Sequence, residues 1–356
     1  MMPAKRMNLK EIAQKMGVSQ STVSIVLNDR RGVSLSTKQR IAPVLEANGY
    51  VIRHKGAGSD DLPPRVMFIK FKQHALMVDG NYEYTAQLID EVEKWCNKAG
   101  YELVFKVANT DTLADVFERA NNESFVGIIL LGTEFSNDER PLLNNVRKPI
   151  IIIDNDLVKL PVTSVSTHTW NSMRRKVEFL LRKGHRSIGY LRNTCPTSIC
   201  NECFRGFKNA MAEHNLPVLE KYIFDIDPTF DGAYESMRRI LNKGADLPTA
   251  LVSNSDCLAL GAMKAMQEFG IRIPENVSLI GGDNITSCTL YSPKLTTCDA
   301  HPCEAGKWAV KLLQERIENP TEPVVRLRIE TTIIERESVC EFSRTIPYQA
   351  QKQMDC

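Results

Sequence analysis

From residue 66 to residue 281, short apolar segments with the length of β-strands alternate with amphipathic segments with the length of α-helices. The strand-like segments are 66–71, 102–107, 126–131, 150–153, 162–165, 187–191, 222–225, 250–253 and 278–281. Strands that alternate with helices form right-handed βαβ units, which build a parallel sheet with helices on both faces. The pattern predicts an α/β core of two doubly wound parallel-sheet lobes, completed by a helix over 303–318 and a strand over 324–333.

The same pattern predicts the division of the chain into domains. Residues 1–58 read as an all-α segment, and residues 59–64 are acidic and proline-rich, as linkers often are. We expect a core over 65–341, with a first lobe from 65–161 and 292–323, a second lobe from 162–291 and 324–341, and a tail over 342–356. Ligands of doubly wound sheets bind at the carboxyl ends of the strands, so a ligand site is expected in the cleft between the lobes.

Charge divides the chain at the same place. The whole chain has a formal net charge of +2, but residues 1–58 hold ten lysines and arginines against three acids, a net charge of +7, and the remainder carries about −5. A basic segment of this size suits the neutralisation of nucleic-acid phosphates, which repel an acidic body. A charged surface exposed to solvent would explain this net charge equally well, so only an accompanying motif can distinguish nucleic-acid binding from it.

Three short helices are predicted in the basic segment. Asn8 with Glu11 and Ser36 with Gln39 have the spacing of a capping box at the first and third helices, and Ser19 begins the second. A glycine-containing turn separates the first two helices. The order of helix, tight turn and helix is that of a helix-turn-helix.

In a helix-turn-helix, the first residues of the second helix reach base edges in the major groove. Gln20 and Ser21 occupy these positions; glutamine can bind adenine through two hydrogen bonds, and serine can serve several bases. Ile25, one turn later, can make only apolar contacts, for example with a thymine methyl group. The remaining DNA-binding candidates carry short hydroxyl, amide or guanidinium groups suited to phosphates: Ser19, Thr22, Ser24, Asn28, Arg30 and Arg53.

The segment LKEIAQKMGVSQSTVSIVLN, residues 9–28, resembles the N-terminal signature of the LacI/GalR family of transcriptional regulators. The likeness continues through VSLSTKQRIAPVLEANGY, the Gly-His-Arg segment at 184–186, LVSNSDCLALGAMKAMQEFGIRIPENVSLIGGDN, SPKLTT and the late ERES. The resemblance covers about 330 residues in the same order. It implies a homodimer whose two heads bind a near-palindromic double-stranded DNA operator, and a core of periplasmic-binding-protein type that binds a small-molecule effector.

The DNA-binding part departs from the family in two places. The main base contacts implied by the resemblance fall on Gln20 and Ser21, but the position that is often arginine or histidine holds Ile25. Family members also commonly carry a hinge helix that inserts leucines into the minor groove, whereas this chain has VIRHKGAGSDD, with two glycines and no matching leucine. Because glycine disfavours a helix, we expect little or no kink from an inserted leucine.

The effector site departs from the family as well. Family members often hold a sugar or a purine with an arginine and an aspartate; the aspartate is present as Asp283, but the arginine position holds Cys203. His168 and Ser255 stand where other polar residues are common. Trp170 could stack on a sugar face, or it could pack in the core while Asp283 only caps a loop. We expect a sugar or a derivative as effector, with an atypical effector or a lost ligand as alternatives.

A cysteine cluster offers an alternative to the small-molecule effector as the signal that controls the regulator. Cys195, Cys200 and Cys203 have the C-x4-C-x2-C spacing known from plant-type [2Fe–2S] sites, which need a fourth ligand. Cys298, Cys303 and His301 are possible further ligands. Because cysteines in a reducing compartment are free thiols by default, no metal and no cofactor is the main expectation. Metal binding or redox sensing at these cysteines is the alternative.

Whole classes of protein are disfavoured by the sequence. The opening residues lack a secretory signal, no window approaches a membrane span, and the chain has no G-x-S-x-G, P-loop or HExxH motif. We therefore expect a cytoplasmic, DNA-binding transcriptional regulator that acts as a repressor, with no enzymatic activity and no membrane partner. The alternatives are the same regulator with a metal or redox input, and a solute-binding protein without a DNA role.

Overall fold

The computed structural model of the chain describes residues 7–27, 33–48, 50, 63–74, 76–136, 138–155 and 161–344. The chain divides into two compact units, residues 1–63 and residues 64–356. None of the helices in the described part of the chain is long and apolar enough to cross a membrane.

The first unit contains three helices: α1 (Leu9–Met16), α2 (Gln20–Leu27) and α3 (Leu35–Ala47). Their apolar faces meet in one small core, which consists of Ile12, Ala13, Val23, Val26, Ile41 and Leu45. The hydroxyl of Tyr50 donates a hydrogen bond of 3.0 Å to the backbone oxygen of Met7, which ties the two ends of the unit together. The predicted helix, turn, helix and third helix are confirmed.

The caps of α1 and α3 test the two predicted capping boxes. The Asn8 side chain accepts from the backbone N–H of Glu11, and the Glu11 carboxylate accepts from the Asn8 N–H at 2.7 Å, so the predicted capping box is present. At α3 the prediction was wrong, because Ser34 and not Ser36 is the cap. The Ser34 hydroxyl accepts from the Thr37 N–H at 3.2 Å, and Ser36 already lies inside the first helical turn.

The second unit continues the alternation of strands and helices. In chain order its elements are β1 (Arg65–Phe71), α4 (Leu76–Gly80), α5 (Tyr82–Lys98), β2 (Glu102–Ala108), α6 (Leu113–Asn122), β3 (Phe125–Leu131), β4 (Ile150–Ile153), β5 (Thr163–Thr167), α7 (Thr169–Arg182), β6 (Ile188–Asn193), α8 (Ser198–Glu213), β7 (Ile223–Ile226), α9 (Phe230–Asn242), β8 (Ala250–Ser253), α10 (Asp256–Glu268), β9 (Ser278–Ile280), β10 (Thr297–Asp299), α11 (Pro302–Glu318), β11 (Arg326–Ile329) and β12 (Thr332–Ile334).

Two parallel sheets define two lobes. The first lobe is built on a six-stranded sheet in the order β11-β5-β4-β3-β1-β2, and the second on a four-stranded sheet in the order β7-β6-β8-β9. Helices α5 and α11 share one apolar core with the first sheet, and α6 covers its other face. Helices α9 and α10 cover one face of the second sheet, and α7 and α8 cover the other. The predicted fold class is confirmed.

The predicted lobe boundaries differ from the sheet pairing by one strand at two places. Residues 163–167 and 326–329 were expected in the second lobe, but β5 pairs with β4, and β11 pairs with β5, in the first sheet. The chain therefore passes between the lobes at 167–169, at 299–302 and at 329–332. An apolar strand pattern shows that a segment pairs but not with which sheet, so the sequence could not resolve this.

Two other elements differ from the prediction. Between β3 and β4, where the alternation of strands and helices predicts a helix, the chain forms a short 3₁₀ turn over Arg140–Asn145. The expected strand at 324–333 is divided into β11 and β12. Helix α4 was not predicted. A buried carboxylate organises its start, because Glu134 accepts hydrogen bonds of 2.7–3.2 Å from four backbone N–H groups. These belong to Gln73, His74, Met77 and Val78.

Candidate functional site

The first residues of α2 present polar side chains to solvent. Gln20 and Ser21 are exposed, and among the described residues no hydrogen bond restrains the Gln20 amide. The Ser19 hydroxyl caps the helix by accepting from the Thr22 N–H at 3.1 Å, and it lies 2.7 Å from the Ser21 hydroxyl. The predicted base-reading positions therefore lie at the accessible end of the helix.

The other DNA-binding candidates are distributed differently. Thr22, Ser24 and Ile25 are half-buried. Asn28, Arg30 and Arg53 lie outside the described residues. The segment 51–62 does so too, and the expected absence of a leucine wedge therefore stays a prediction.

A cavity of about 650 Å³ lies between the two lobes of the second unit. It is located where strands of both sheets end, as expected for doubly wound folds. The first turns of three helices contribute to its wall, with Thr169 of α7, Ser198 of α8 and the Ser255 cap of α10. Helix N-termini carry partial positive charge, so this wall favours electron-rich ligand groups.

Two carboxyl groups that line the cavity each accept a hydrogen bond from a neighbouring side chain. Asp154 follows β4 and accepts from the hydroxyl of Tyr84 at 3.0 Å; Asp283 accepts from the Asn81 amide at 2.8 Å. Burial raises the pKa of Asp154 to about 6. Burial, with the Asp256 carboxylate nearby, raises the pKa of Asp283 well above its usual range. Both residues have positive φ, 59° for Asp154 and 110° for Asp283, a backbone strain that often marks a functional site.

A lysine is buried in the same wall. Lys176 of α7 is 1% exposed, and its ammonium group donates to the backbone oxygen of Ser253 at 2.8 Å. A β-carbon added to Gly282 would lie 2.5 Å from the Lys176 Nζ atom, so the missing side chain leaves room for the ammonium group. Lys176 forms no ion pair with the described carboxylates, an unusual situation for a buried cation.

Further polar groups line the cavity without an internal partner. The Nε atom of Arg140 and the Oδ1 atom of Asn254 are buried and have no hydrogen-bond partner within the described part of the chain. Arg140 comes from the first lobe, whereas Asn254 precedes α10 in the second lobe. Buried polar atoms are costly when left unsatisfied, so a bound molecule or ordered water is expected to meet them.

Three of the five predicted effector residues line the cavity, namely Cys203, Ser255 and Asp283. His168 and Trp170 are not among the described residues of the wall. The His168 ring is hydrogen-bonded to the Glu330 carboxylate at 2.7 Å. Trp170 lies where the backbone of α7 closely approaches α8 at Gly206, so its location agrees with the helix-packing alternative.

The cysteine cluster does not form a metal site. Among the described residues, no group of three His, Cys, Asp or Glu side chains is placed to hold a metal ion. Burial raises the pKa of Cys195 to about 12 and the pKa values of Cys200 and Cys203 above the ordinary range, so these thiols stay protonated and poorly reactive. The described residues therefore offer no metal site at this cluster, and a redox role of its thiols stays a prediction.

Sequence reasoning missed several cavity residues, and two signals could have found them. Asp154 and Asn193 are polar residues at the ends of apolar strands, the edge where ligands bind. Lys176 lies three residues after Met173 and four before Leu180, which places a charged residue on the apolar face of a helix. No signal was available for Arg140, because its turn was predicted as a helix.

Comparisons with known proteins agree with this arrangement. Residues 8–52 match the family model for bacterial regulatory proteins of the lacI family, and residues 177–339 match a periplasmic binding protein-like domain. The HTH-type transcriptional repressor PurR of Mannheimia succiniciproducens is 30% identical over 338 residues, which cover 93% of this chain and 98% of that protein. The PurR repressor of Pasteurella multocida is 28% identical over 336 residues, covering 93% and 98%.

Solved structures share the fold across the chain. A lac repressor dimer bound to operator and the anti-inducer ONPF has a TM-score of 0.70 at 19% identity, covering 94% of this chain and all of that one. A complex of the transcriptional regulator CelR with cellobiose has a TM-score of 0.69 at 23% identity, with the same coverage. Together with the helix-turn-helix and the two-lobed core, these matches show that the chain belongs to the LacI family of DNA-binding transcriptional regulators.

Proposed function

We propose that the chain acts as a homodimeric, cytoplasmic repressor in which α2 reads the operator and a small molecule binds between the lobes of the core. The observation that carries this proposal is the exposed start of α2, where Gln20 and Ser21 are free to contact base edges. A dimer would place two such helices on half-sites about 10 base pairs apart. Binding would regulate transcription without any catalytic step.

The cavity supports control by an effector. Its wall combines carboxyl, amide and hydroxyl groups with apolar side chains such as Met173 and Phe135, a composition that suits a polyhydroxylated molecule. We therefore retain a sugar or a sugar derivative as the proposed effector. The PurR repressors and the CelR–cellobiose complex belong to the same family but do not decide the effector of this chain.

Selection of DNA from a random pool by the full-length chain tests the DNA-binding part. We expect an enriched near-palindrome, and the logarithm of its affinity should fall linearly with the logarithm of salt concentration, because phosphate contacts release counterions. A truncated chain that begins at residue 64 should lose this binding, since the second unit is acidic. Equal DNA binding by the truncated chain would contradict the proposal.

The effector part is tested separately. Sugars, nucleobases and their derivatives are screened for a rise in the unfolding temperature of the full-length chain, and each hit is added to the complex with the selected DNA. A ligand that both stabilises the chain and changes operator affinity supports the proposal. If ligands stabilise the chain but none of them changes operator affinity, control of DNA binding by a ligand in the cavity is contradicted.

A further inference from the structure

The charges of the cavity are unevenly compensated. Its wall contains four cationic side chains, Lys176, Arg140, Arg205 and Arg328, against three carboxyl groups, Asp154, Asp283 and Glu202. Cationic side chains therefore outnumber carboxyl groups along this wall, although the second unit as a whole is acidic.

Lys176 is the most deeply buried of these cationic side chains. Its side chain is 1% exposed, and its one hydrogen bond inside the described structure goes to a neutral acceptor, the backbone oxygen of Ser253. An ammonium group has three N–H donors, so donors remain for another acceptor. Because removing a charge from water is costly, a buried cation is normally matched by an anion.

The first lobe contributes a second cation in a similar state. The Nε atom of Arg140 is buried without a hydrogen-bond partner, and the Arg140 guanidinium forms no ion pair with the described carboxylates. Guanidinium groups bind phosphate and carboxylate through paired hydrogen bonds. The N-termini of α7, α8 and α10 add partial positive charge to the same wall.

We propose that the effector is an anionic small molecule, a polyhydroxylated compound bearing a phosphate or a carboxylate, whose charge is bound by Lys176 with Arg140 as the second cation. This inference rests on the proposed function, because it assigns the chemical class of the molecule in the cleft. The hydroxyl groups of the effector would form hydrogen bonds with the side-chain amide oxygen of Asn254 and with the carboxyl group of Asp283. A neutral sugar would offer Lys176 no ion pair beyond its longer-range attraction to the Asp256 and Asp283 carboxyl groups.

Direct binding to the full-length chain tests the charge requirement. Isothermal titration is performed with glucose, glucose 6-phosphate, glucuronate and inorganic phosphate, four probes that separate charge from the sugar ring and phosphate from carboxylate. We expect at least one anionic probe to bind about tenfold or more tightly than glucose, since charge-assisted hydrogen bonds are stronger than neutral ones. The proposal is overturned if glucose binds as tightly as the anionic probes, or if no anionic probe binds.

Substitutions assign the charge to its residue. Lys176→Met removes the charge with little change of shape and should weaken the anionic probe about tenfold, whereas Lys176→Arg should retain most of the affinity. Lys208→Met removes an exposed lysine outside the cavity and should leave binding within about twofold. If Lys176→Met folds and binds the anionic probe as the unchanged chain does, Lys176 is only a structural cation and the proposal is wrong.

The two levels of proposal fail in different ways. If an anionic probe binds selectively but leaves operator affinity unchanged, the anion site is supported and its role in regulation is contradicted. If a neutral sugar releases the operator and the anionic probes do not bind, the proposed effector-controlled regulator is supported and the anion site is contradicted.

Discussion

The side-chain amide of Asn81 donates a hydrogen bond of 2.8 Å to a carboxyl oxygen of Asp283, and this bond joins the first lobe of the core to the second. Close by, Glu83 of the first lobe accepts hydrogen bonds from the hydroxyl and the backbone N–H of Ser287 in the second. Both contacts lie at the start of α5. The lobes are therefore held together at the rim of the cavity by polar groups as well as by the three chain passages.

Asn81→Ala should loosen the contact between the lobes. The substitution removes the donor and leaves the Asp283 carboxyl without this partner, which costs on the order of 1–3 kcal/mol in the joined arrangement. We expect backbone amides at 81–85 and 283–287 to exchange about tenfold faster with deuterium. Hydrogen exchange read by mass spectrometry measures this directly.

The matched control is Asn121→Ala. The Asn121 side chain also makes two hydrogen bonds, to the backbone of Asn145 and Arg147, but all three residues belong to the first lobe. Exchange at 283–287 should not change in this variant. Equal acceleration in both variants would mean that general destabilisation, and not the bond between the lobes, explains the effect.

The carboxyl of Asp154 should make stability depend on pH. Burial raises its pKa in the folded chain to about 6 from an ordinary value near 3.8, so the folded state retains the proton longer than the unfolded state. The resulting stabilisation is complete below about pH 4 and is lost as pH rises through about 6. Asp154→Asn removes this titration while an asparagine tolerates the positive φ.

The stability of the unchanged chain relative to that of Asp154→Asn should therefore fall by about 1 kcal/mol between pH 5 and pH 7.5. Thermal unfolding at the two pH values measures it. Asp115→Asn, which removes an exposed carboxylate from α6, corrects for the general effect of lost charge. If the stability of the unchanged chain relative to Asp154→Asn stays constant or rises with pH, Asp154 does not hold its proton in the folded chain.

Glu134→Gln should destabilise the wall of the cavity. The carboxylate accepts four backbone N–H groups, and a glutamine would turn its own NH₂ group toward two of them. We expect a loss of about 2–4 kcal/mol in the free energy of unfolding. Denaturant unfolding checks this, with the exposed Glu118→Gln in α6 expected to change stability by less than about 0.5 kcal/mol.

Gln20→Ala should relax sequence preference at one position of the operator half-site. The expected loss of discrimination is about 1–3 kcal/mol at that base pair, with little change elsewhere. Lys10→Ala should instead weaken all sequences together and reduce the salt slope by about one, as loss of a phosphate contact does. DNA selection followed by titration of single-base variants measures both. If Gln20→Ala weakens every sequence equally, Gln20 is not the reading residue.

Local chemistry made much of the fold predictable from the sequence. The capping box of Asn8 and the apolar spacing of α1 to α3 depend on residues within a few positions of one another. The strands of the core are apolar over their whole length because helices cover both faces of each sheet. The assignment of β5 and β11 to a lobe depends on pairing between distant segments, which local pattern does not contain.

The cavity was predictable to a similar extent. Asp283 and Ser255 follow strands of the second sheet, so their contribution to the wall follows from topology. His168 and Trp170 lie at the passage between the lobes, where the turn of the chain decides which way a side chain points. Lys176 enters the cavity from the middle of a helix, and only the packing of α7 against the second sheet brings it there.

The three passages of the chain between the lobes also limit how such a protein can be recombined. A single join near residue 63 exchanges the complete helix-turn-helix unit, because all of its residues precede the core. Each lobe, in contrast, is assembled from separated stretches of chain, so grafting one lobe from a relative requires three joins in register. One join therefore pairs any helix-turn-helix unit with any complete core, whereas the two halves of a ligand site cannot be exchanged separately without three joins.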